Sequence, residues 1–282
     1  MIALADFNTL PITRFTDHGA YMDGGDVGEI LLPKAYVRPE MRPGDEVTVF
    51  VYLDQSERLV GTFEQPLVRA GQCACLRCAW TNRHGAFLDW GLMKDLFVPF
   101  SEQRRPMEMG GHYVVHCHID PETQRVVASA KIDRYLRPAT HATHRAGQQV
   151  DVLVWHATPL GYKAIVDHQY QGQLYADQLY APVRPGERIA GSVVRVRPDG
   201  KLDLAVGRLG TDRFRDFADT LLDALRQAPG GVLPYGDHSA PDDIRARFGV
   251  SKKTFKQALG TLYRQRLVSI SEAGICLLEP SR

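Results

Sequence analysis

The chain has 282 residues, of which 44% are hydrophobic and 24% charged, and its formal net charge is +1. This composition is typical of a globular protein, and the length suits two to four small domains. No stretch approaches the roughly 20 apolar residues of a membrane span, and residues 1–6 lack the basic region of a secretory signal. Because five unevenly spaced cysteines are also a poor disulfide framework, we expect a cytoplasmic protein.

The first half of the chain contains an internal repeat. Residues 17–23 read Asp-His-Gly-Ala-Tyr-Met-Asp, and residues 83–89 read Arg-His-Gly-Ala-Phe-Leu-Asp, 66 positions later. At the same offset, Glu-Ile-Leu-Leu-Pro at 29–33 matches Asp-Leu-Phe-Val-Pro at 95–99. A constant offset over separate segments indicates a duplication.

A third, weaker copy follows in the middle of the chain. Leu160-Gly161-Tyr162-Lys163 resembles the repeated His-Gly-Ala-aromatic segment. Arg-Pro-Gly-Glu at 184–187 also repeats Arg-Pro-Gly-Asp at 42–45. We therefore expect three related modules.

Each module has the composition of β-structure. Residues 47–53, 112–119 and 191–197 are rich in β-branched residues, and the first and last of them are followed by turn-forming residues. Four or five short strands in about 65 residues favour a small closed barrel. The glycine that precedes the repeated alanine, Gly19 or Gly85, predicts a bulge or a close backbone approach in a strongly coiled strand. An aromatic residue held beside basic groups on such a strand would be a stacking platform for a base.

The last 70 or so residues have a helical pattern. Residues 213–226 form an amphipathic helix, and the segment from Ser239, as N-cap, to Gly249 forms a second. Ser251 starts a third helix, and residues 267–271 and 274–278 read as a hairpin. This order is that of a helix-turn-helix with a wing.

The third of these helices is strongly basic. Residues 244–268 carry seven Lys and Arg and no acidic residue, which is the electrostatic pattern of a nucleic-acid contact. Lys252, Lys253 and Lys256 lie at its start. With Gln257 as the only amide there, these residues favour contacts to the phosphate backbone over reading of bases.

The motifs together resemble a known family. Arg83–Phe87 and Asp95–Glu102 resemble the two signatures of the S1 RNA-binding domain, an OB-fold barrel. The run Gly-Ala-Phe-Leu-Asp-Trp-Gly-Leu at 85–92 and Ser-Lys-Lys-Thr-Phe-Lys at 251–256 resemble the CvfB/YitL family of bacterial S1-containing regulators. The resemblance implies a mainly β protein with a small α+β end, in which tandem S1/OB-fold barrels precede a winged helix. The domains would be residues 1–64, 65–137, 145–208 (a degenerate barrel) and 211–282.

The resemblance also implies binding of single-stranded RNA, an influence on gene expression, and neither a catalytic step nor a cofactor. The S1 binding face carries over residue by residue. It gives His18, Tyr21, Pro33, Asp54 and Arg58 in the first module, Arg83, His84, Phe87, Pro99, Asp120 and Arg125 in the second, and Leu160, Lys163, Asp199 and Lys201 in the third. Pro33 and Pro99 stand where the family has a histidine in the first two modules. Most of the stacking face is missing from the third module.

Other functions are open at this point. The protein could be a DNA-binding transcription regulator that uses the winged helix, with the barrels as interaction modules, or a factor associated with the ribosome. Cys73, Cys75 and Cys78 could bind a metal together with residues 116–118, but their spacing is better explained as an alternating strand. Asp89, Asp95 and Glu102 lack the nucleophile or phosphate loop that a hydrolase would need.

Overall fold

The computed structural model describes residues 2–179, 183–206, 211–250, 252–271 and 274–278. It does not describe the side chains of residues 211–216 and of Lys253. The chain divides into two compact units, Met1–Arg137 and Pro138–Arg282. Each unit is described by itself.

The first barrel occupies the beginning of the first unit. Its strands are β1 (Asp6–Thr16), β2 (Gly19–Asp23), β3 (Glu29–Pro33), β4 (Glu46–Leu53) and β5 (Leu59–Thr62). They close in the order β1-β2-β3-β5-β4, in which only the β3–β5 pairing is parallel. Alternate apolar side chains point inward and are fully buried, among them Met22, Ile30 and Leu32.

The second barrel repeats this topology, as the duplication predicts. Its strands are β6 (Cys73–Asn82), β7 (Gly85–Asp89), β8 (Leu96–Pro99), β9 (His112–Ile119) and β10 (Val126–Ser129). The closed order is β6-β7-β8-β10-β9, and again only the third and fifth strands run parallel.

The first two barrels share one hydrophobic core. Phe50 of the first barrel meets Trp90 of the second edge-on, with ring centroids 5.8 Å apart, and both side chains are buried in the same cluster. The linker between the barrels, residues 63–72, forms hydrogen bonds to both of them. The N–H of Leu67 donates to the carbonyl of Trp90 (2.8 Å), and the N–H of Ala70 donates to the carbonyl of Ala5 (3.0 Å). The two barrels therefore form one packed body.

A third closed barrel begins the second unit and confirms the weakest part of the repeat. Its strands are β11 (Gln149–Thr158), β12 (Gly161–Val166), β13 (Tyr170–Tyr175), β14 (Arg188–Val196) and β15 (Leu202–Val206). They close in the order β11-β12-β13-β15-β14 around their own apolar core.

A winged helix completes the second unit. Its elements are α1 (Thr211–Gln227), β16 (Val232–Leu233), α2 (Pro241–Phe248), α3 (Lys252–Arg264), β17 (Val268–Ser271) and β18 (Gly274–Leu277), with β18 central in the sheet. Among the described residues, no helix is long and apolar enough to cross a membrane.

The C-terminal end of α2 agrees with the sequence, whereas its N-cap does not. Gly249 ends α2 in the left-handed conformation (φ 69°). The predicted N-cap of α2 was wrong: Ala240 holds that position, because the Ser239 hydroxyl instead accepts the N–H of Gly236 at 2.9 Å. The predicted cap Ser251 lies outside the described residues.

The glycine that opens the second strand of each barrel is required by a close backbone approach. A Cβ on Gly19, Gly85 or Gly161 would lie only 2.1, 2.2 or 2.1 Å from a carbonyl oxygen of the neighbouring strand. Their φ angles of 145°, 159° and 137° are consistent with tightly coiled strands. The sequence-based interpretation of these glycines is confirmed.

The cysteines of the second barrel belong to its core strands. Cys73 pairs with His116 in the β6–β9 ladder, and alternate residues of β6 point inward. Burial raises the pKa of the Cys117 thiol to about 12, so this sulfur stays a neutral apolar group. Within the described part of the chain, no three His, Cys, Asp or Glu side chains are grouped to hold a metal.

Candidate nucleic-acid interface

Each of the three barrels carries a set of side chains at equivalent positions of its own first three strands. Just after a bulge in the first strand, one residue pairs with a residue of the second strand. That second-strand residue in turn pairs with a residue of the third strand. In chain order along the strands, these sets are Arg14, Tyr21 and Leu31 in the first barrel, Trp80, Phe87 and Phe97 in the second, and His156, Lys163 and Gln173 in the third.

In the second barrel these positions form a stack of aromatic rings. Trp80 lies flat on Phe87, with centroids 3.7 Å apart and planes 3° apart, and Phe97 follows at 4.9 Å from Phe87. The indole N–H of Trp80 donates to Asp95 at 2.8 Å, which fixes the ring although 43% of the residue is exposed. We call Trp80, Phe87 and Phe97 the ring platform.

Polar groups border the ring platform at the turn before β7. His84 and Arg83 are exposed there, and the Arg83 Nε–H donates to His84 Nε2 at 3.0 Å. Asn82 shapes the turn, since its side-chain oxygen accepts the N–H groups of His84 (2.8 Å) and Gly85 (3.3 Å). Two basic side chains are thus held at one end of the rings.

The first barrel fills the same positions differently. The guanidinium carbon of Arg14 lies 4.1 Å from the ring centroid of Tyr21, and the guanidinium is held by Glu29 at 2.6 Å. The hydrogen bond from Arg14 also lowers the pKa of Glu29. His18 is exposed at the turn, as predicted, but the third position is Leu31. This face therefore offers one ring covered by a cation.

The third barrel has no ring at the central position. Lys163 is half-buried there, with its Nζ 5.8 Å from the Trp155 ring centroid. Leu160 is 67% exposed at the preceding turn. At the fourth turn, Lys201 pairs with Asp199 at 2.9 Å. This face therefore offers cations without a central ring.

In the first two barrels, the acidic residue predicted at the fourth turn holds that turn together. Asp54 accepts the N–H groups of Ser56 and Arg58 and pairs with the Arg58 guanidinium at 2.8 Å. Burial opposes its ionisation, but the hydrogen bonds from Arg58 and Ser56 outweigh it and lower the pKa of Asp54. Asp120 accepts the Glu122 N–H and the Thr123 hydroxyl, which lower its pKa. These carboxylates are occupied by their own turns.

Arg125, which follows the second of these turns, reaches across to the first barrel and pairs with Glu57. A groove of about 830 Å³ lies beside this ion pair. Residues of both barrels line it, including Tyr52 and Gln55 from the first and Phe87 from the second.

Lys94 also lines the groove. Its ammonium group donates to the Asp54 carbonyl at 2.7 Å, and burial lowers the pKa of Lys94.

Several residues of this region were not predicted from the sequence: Trp80, Phe97, Lys94 and Glu57. The repeat could not reveal Trp80 or Phe97, because the residues at the equivalent positions of the first barrel, Arg14 and Leu31, are not aromatic. Pairing of Glu57 with Arg125 depends on how two barrels pack, which sequence spacing does not report. The only signal was composition, a Trp and a Phe on either side of Phe87.

The basic helix α3 is less free of acids than its sequence predicts. Lys256 is exposed, but its Nζ lies 2.9 Å from a carboxylate oxygen of Asp237. Residues 244–268 themselves carry no acid, but the fold brings Asp237 beside Lys256 from outside that stretch. Lys252 is half-buried at the start of α3, and the side chain of Lys253 lies outside the described part of the structure.

Comparisons with known proteins identify the domain types. Residues 6–64 match the family model of the S1 domain, and residues 219–277 match that of the CvfB-like winged helix domain. YitL, an uncharacterized protein of Bacillus subtilis (strain 168), is 29% identical over 263 residues, which cover 91% of this chain and 87% of YitL. Conserved virulence factor B of Staphylococcus aureus (strain N315) is 24% identical over 245 residues, covering 84% of this chain and 81% of that protein.

The chain is therefore similar to YitL and to conserved virulence factor B over most of its length. A solved multidomain protein with nucleic acid binding domains from Streptococcus pneumoniae TIGR4 is 24% identical and covers 98% of both chains, with a TM-score of 0.43. The two family models and the two relatives confirm the resemblance drawn from the sequence. The fold confirms the order of barrels followed by a winged helix. The chain contains an S1 domain and a CvfB-like winged helix domain, which are nucleic-acid-binding domain types.

Proposed function

We propose that this protein belongs to the CvfB/YitL family and is a non-catalytic RNA-binding regulator of gene expression. In this proposal, single-stranded RNA lies across the barrels, and the winged helix holds its phosphate backbone. The observation that carries the proposal is the ring platform, in which a half-exposed Trp80 is fixed flat on Phe87. Apolar surface that a fold leaves exposed in one patch commonly marks a binding site.

The geometry of Trp80 suits a base. One face of its ring is covered by Phe87 at 3.7 Å, so an unpaired base can stack on the other face. The hydrogen bond to Asp95 already fixes the ring, which reduces the entropy lost on binding. Stacking of this kind contributes about 1–3 kcal/mol per base and tolerates any base. Duplex DNA, whose bases are already stacked on one another, cannot use it.

Polar and basic side chains add contacts to the bound strand. Arg83 and His84 lie at the end of the ring platform, and Lys163 occupies the equivalent central position of the third barrel. Such groups bind phosphates without reading sequence. Because all the modules are on one chain, weak contacts in each combine through effective concentration.

A competition experiment with the full chain tests this function. A labelled single-stranded RNA is displaced by unlabelled RNA or by duplex DNA at equal salt, and we expect the RNA to compete better. Trp80→Ala with Phe87→Ala should weaken RNA binding, whereas Phe15→Ala, which removes an exposed aromatic outside the ring platform, should not. Equal loss in both variants would remove the ring platform from the binding face.

A second candidate is a DNA-binding transcription regulator. The observation in its favour is the helix-turn-helix of α2 and α3, with Gln257 exposed early in α3, where such helices contact base edges. It predicts the reverse order in the same competition. It also predicts that substitutions of the ring platform leave DNA binding unchanged.

A further inference from the structure

The groove between the first and second barrels is a preformed cavity. The barrels on its two sides share one core and a fastened linker, so its walls do not have to be ordered when a ligand enters. Its volume of about 830 Å³ lies within the range of ligand-binding pockets in general, roughly 300–1,000 Å³.

The groove continues directly from the ring platform. Trp80, Phe87 and Phe97 each contribute to its lining. A base stacked on Trp80 would therefore lie beside the groove. The path from the base stack into the groove is short, because the platform and the groove share the same rings.

The polar lining suits the edge of a nucleobase. From the first barrel, Glu57 supplies a carboxylate that only accepts hydrogen bonds, and Gln55 supplies an amide. From the second, Lys94 and Arg125 supply donors. An apolar, aromatic wall with a few donors and acceptors of both kinds matches a planar ring whose edge carries N–H groups and carbonyl or ring-nitrogen acceptors.

The ion pair between Glu57 and Arg125 bridges the two barrels at the groove. Both side chains are about half exposed, so the pair is weak and exchangeable in water. Arrival of an RNA strand offers each member a new partner: a phosphate for the guanidinium and an N–H of a base for the carboxylate. The pair is therefore suited to open without a large cost.

We propose that this groove binds one unstacked nucleobase of the RNA strand, with the Glu57 carboxylate accepting a hydrogen bond from the edge of that base. The proposal rests on the proposed RNA-binding function. It adds a composite site: the first barrel, which has no full ring stack of its own, supplies Glu57 and Gln55 to the binding face of the second barrel.

The test is whether Glu57→Gln raises or lowers the affinity for RNA. In a binding face that acts by charge alone, Glu57→Gln removes a negative charge and frees Arg125, so RNA affinity rises or stays the same. In a base pocket the same change replaces a charged acceptor with a neutral one, and affinity falls by about fivefold. Glu40→Gln is the matched control, because Glu40 is an exposed carboxylate of the first barrel outside the groove lining.

A second variant separates contact from positioning. If Glu57 acts only by orienting Arg125, Glu57→Gln has no effect in an Arg125→Ala background. If Glu57 contacts the base, the loss of about fivefold in affinity persists there. The thermal transition of each variant shows that the fold is kept.

The outcomes also distinguish this proposal from the proposed function. A loss with Glu57→Gln in both backgrounds, with none for Glu40→Gln, supports the pocket. Unchanged or tighter binding with Glu57→Gln, while Trp80→Ala with Phe87→Ala still weakens binding, overturns the pocket and leaves the function standing. If neither change alters RNA binding, both proposals fail.

Discussion

The first and second barrels have the same backbone plan but different contents on the same face. In each barrel, an acidic residue at or just before the start of the third strand fixes a first-strand side chain against the ring of the second strand. Glu29 holds Arg14 against Tyr21, and Asp95 holds Trp80 against Phe87. The partner that is held is a guanidinium in one barrel and an indole in the other. The comparison teaches that the barrel fixes where a stack is built, while a few positions decide what it can bind.

The physical consequence is a difference in stacking area. The indole of Trp80 presents a large, weakly hydrated surface to a base, whereas the guanidinium of Arg14 is smaller and already has a carboxylate partner. We therefore expect the second barrel to bind bases and the first to contribute charge and one wall of the groove. The third barrel, with Lys163 at the central position, should contribute phosphate contacts only.

The largest expected effect comes from removing the ring platform. Trp80→Ala with Phe87→Ala should weaken binding of single-stranded RNA by about tenfold or more, since stacking contributes about 1–3 kcal/mol per base. The equivalent change in the first barrel, Arg14→Ala with Tyr21→Ala, should cost only a few-fold. Fluorescence anisotropy at constant salt measures both, and a larger loss of affinity from the first barrel would reverse the comparison.

A transplant sharpens the same comparison. Arg14→Trp with Glu29→Asp gives the first barrel the indole and the shorter acid of the second. We expect RNA affinity to rise by about fivefold, the low end of one additional stacked base. The gain should survive in a chain that also carries Phe87→Ala. No gain in either background would show that the ring alone does not define the platform.

The winged helix should contribute to the salt dependence of binding, and its cations should matter most for affinity at low salt. Replacing Lys252 and Lys256 with Gln should make the plot of log affinity against log salt shallower, by about 0.7 for each phosphate of a single strand that is no longer neutralised. Lys252 should account for most of the change, because Lys256 must first leave Asp237. Affinities measured at several salt concentrations test this, and an unaltered slope would assign α3 to packing or to a partner.

The smallest effect on binding is expected at Asp54, whose carboxylate holds a turn. Asp54→Ala should lower the free energy of unfolding by about 1 kcal/mol at neutral pH, because it removes the acceptor of two backbone N–H groups and a guanidinium. RNA affinity should change little. Denaturant unfolding of the two proteins measures the first expectation, and the binding assay measures the second.

The difference in the free energy of unfolding between the unaltered protein and Asp54→Ala should depend on pH in one direction. Since the pKa of Asp54 is lowered in the folded protein, its contribution to stability is fully present above the unfolded value of about 3.9. It is lost as the pH falls through the folded pKa. A stability difference that grew towards acid pH would contradict the role given to this carboxylate.

Much of the fold could be predicted because the sequence repeats itself. A constant offset located the second barrel, and Gly161 with its neighbours located the third, since each glycine marks a backbone approach that a Cβ would prevent. The winged helix followed from helical periodicity and Gly249. The wrongly predicted N-cap of α2 shows the limit of this reasoning, because the Ser239 hydroxyl had a choice of nearby N–H groups.

The candidate site could be predicted only in part. The repeat identified Tyr21 and Phe87 because they recur, and it missed Trp80 because its counterpart is Arg14. Pairs formed by packing, such as Glu57 with Arg125 and Lys256 with Asp237, join residues from separate segments. No local spacing encodes them, and they decide which charges remain available to a ligand.

The most direct test of the central claim is to locate where bound RNA touches the protein. Single-stranded RNA is crosslinked to the full chain by ultraviolet light, and the modified peptides are mapped by mass spectrometry. We predict adducts on Trp80 and Phe87, with fewer on Tyr21 of the first barrel. Adducts confined to the winged helix, or favouring Tyr21 over Trp80, would contradict the assignment of base binding to the ring platform.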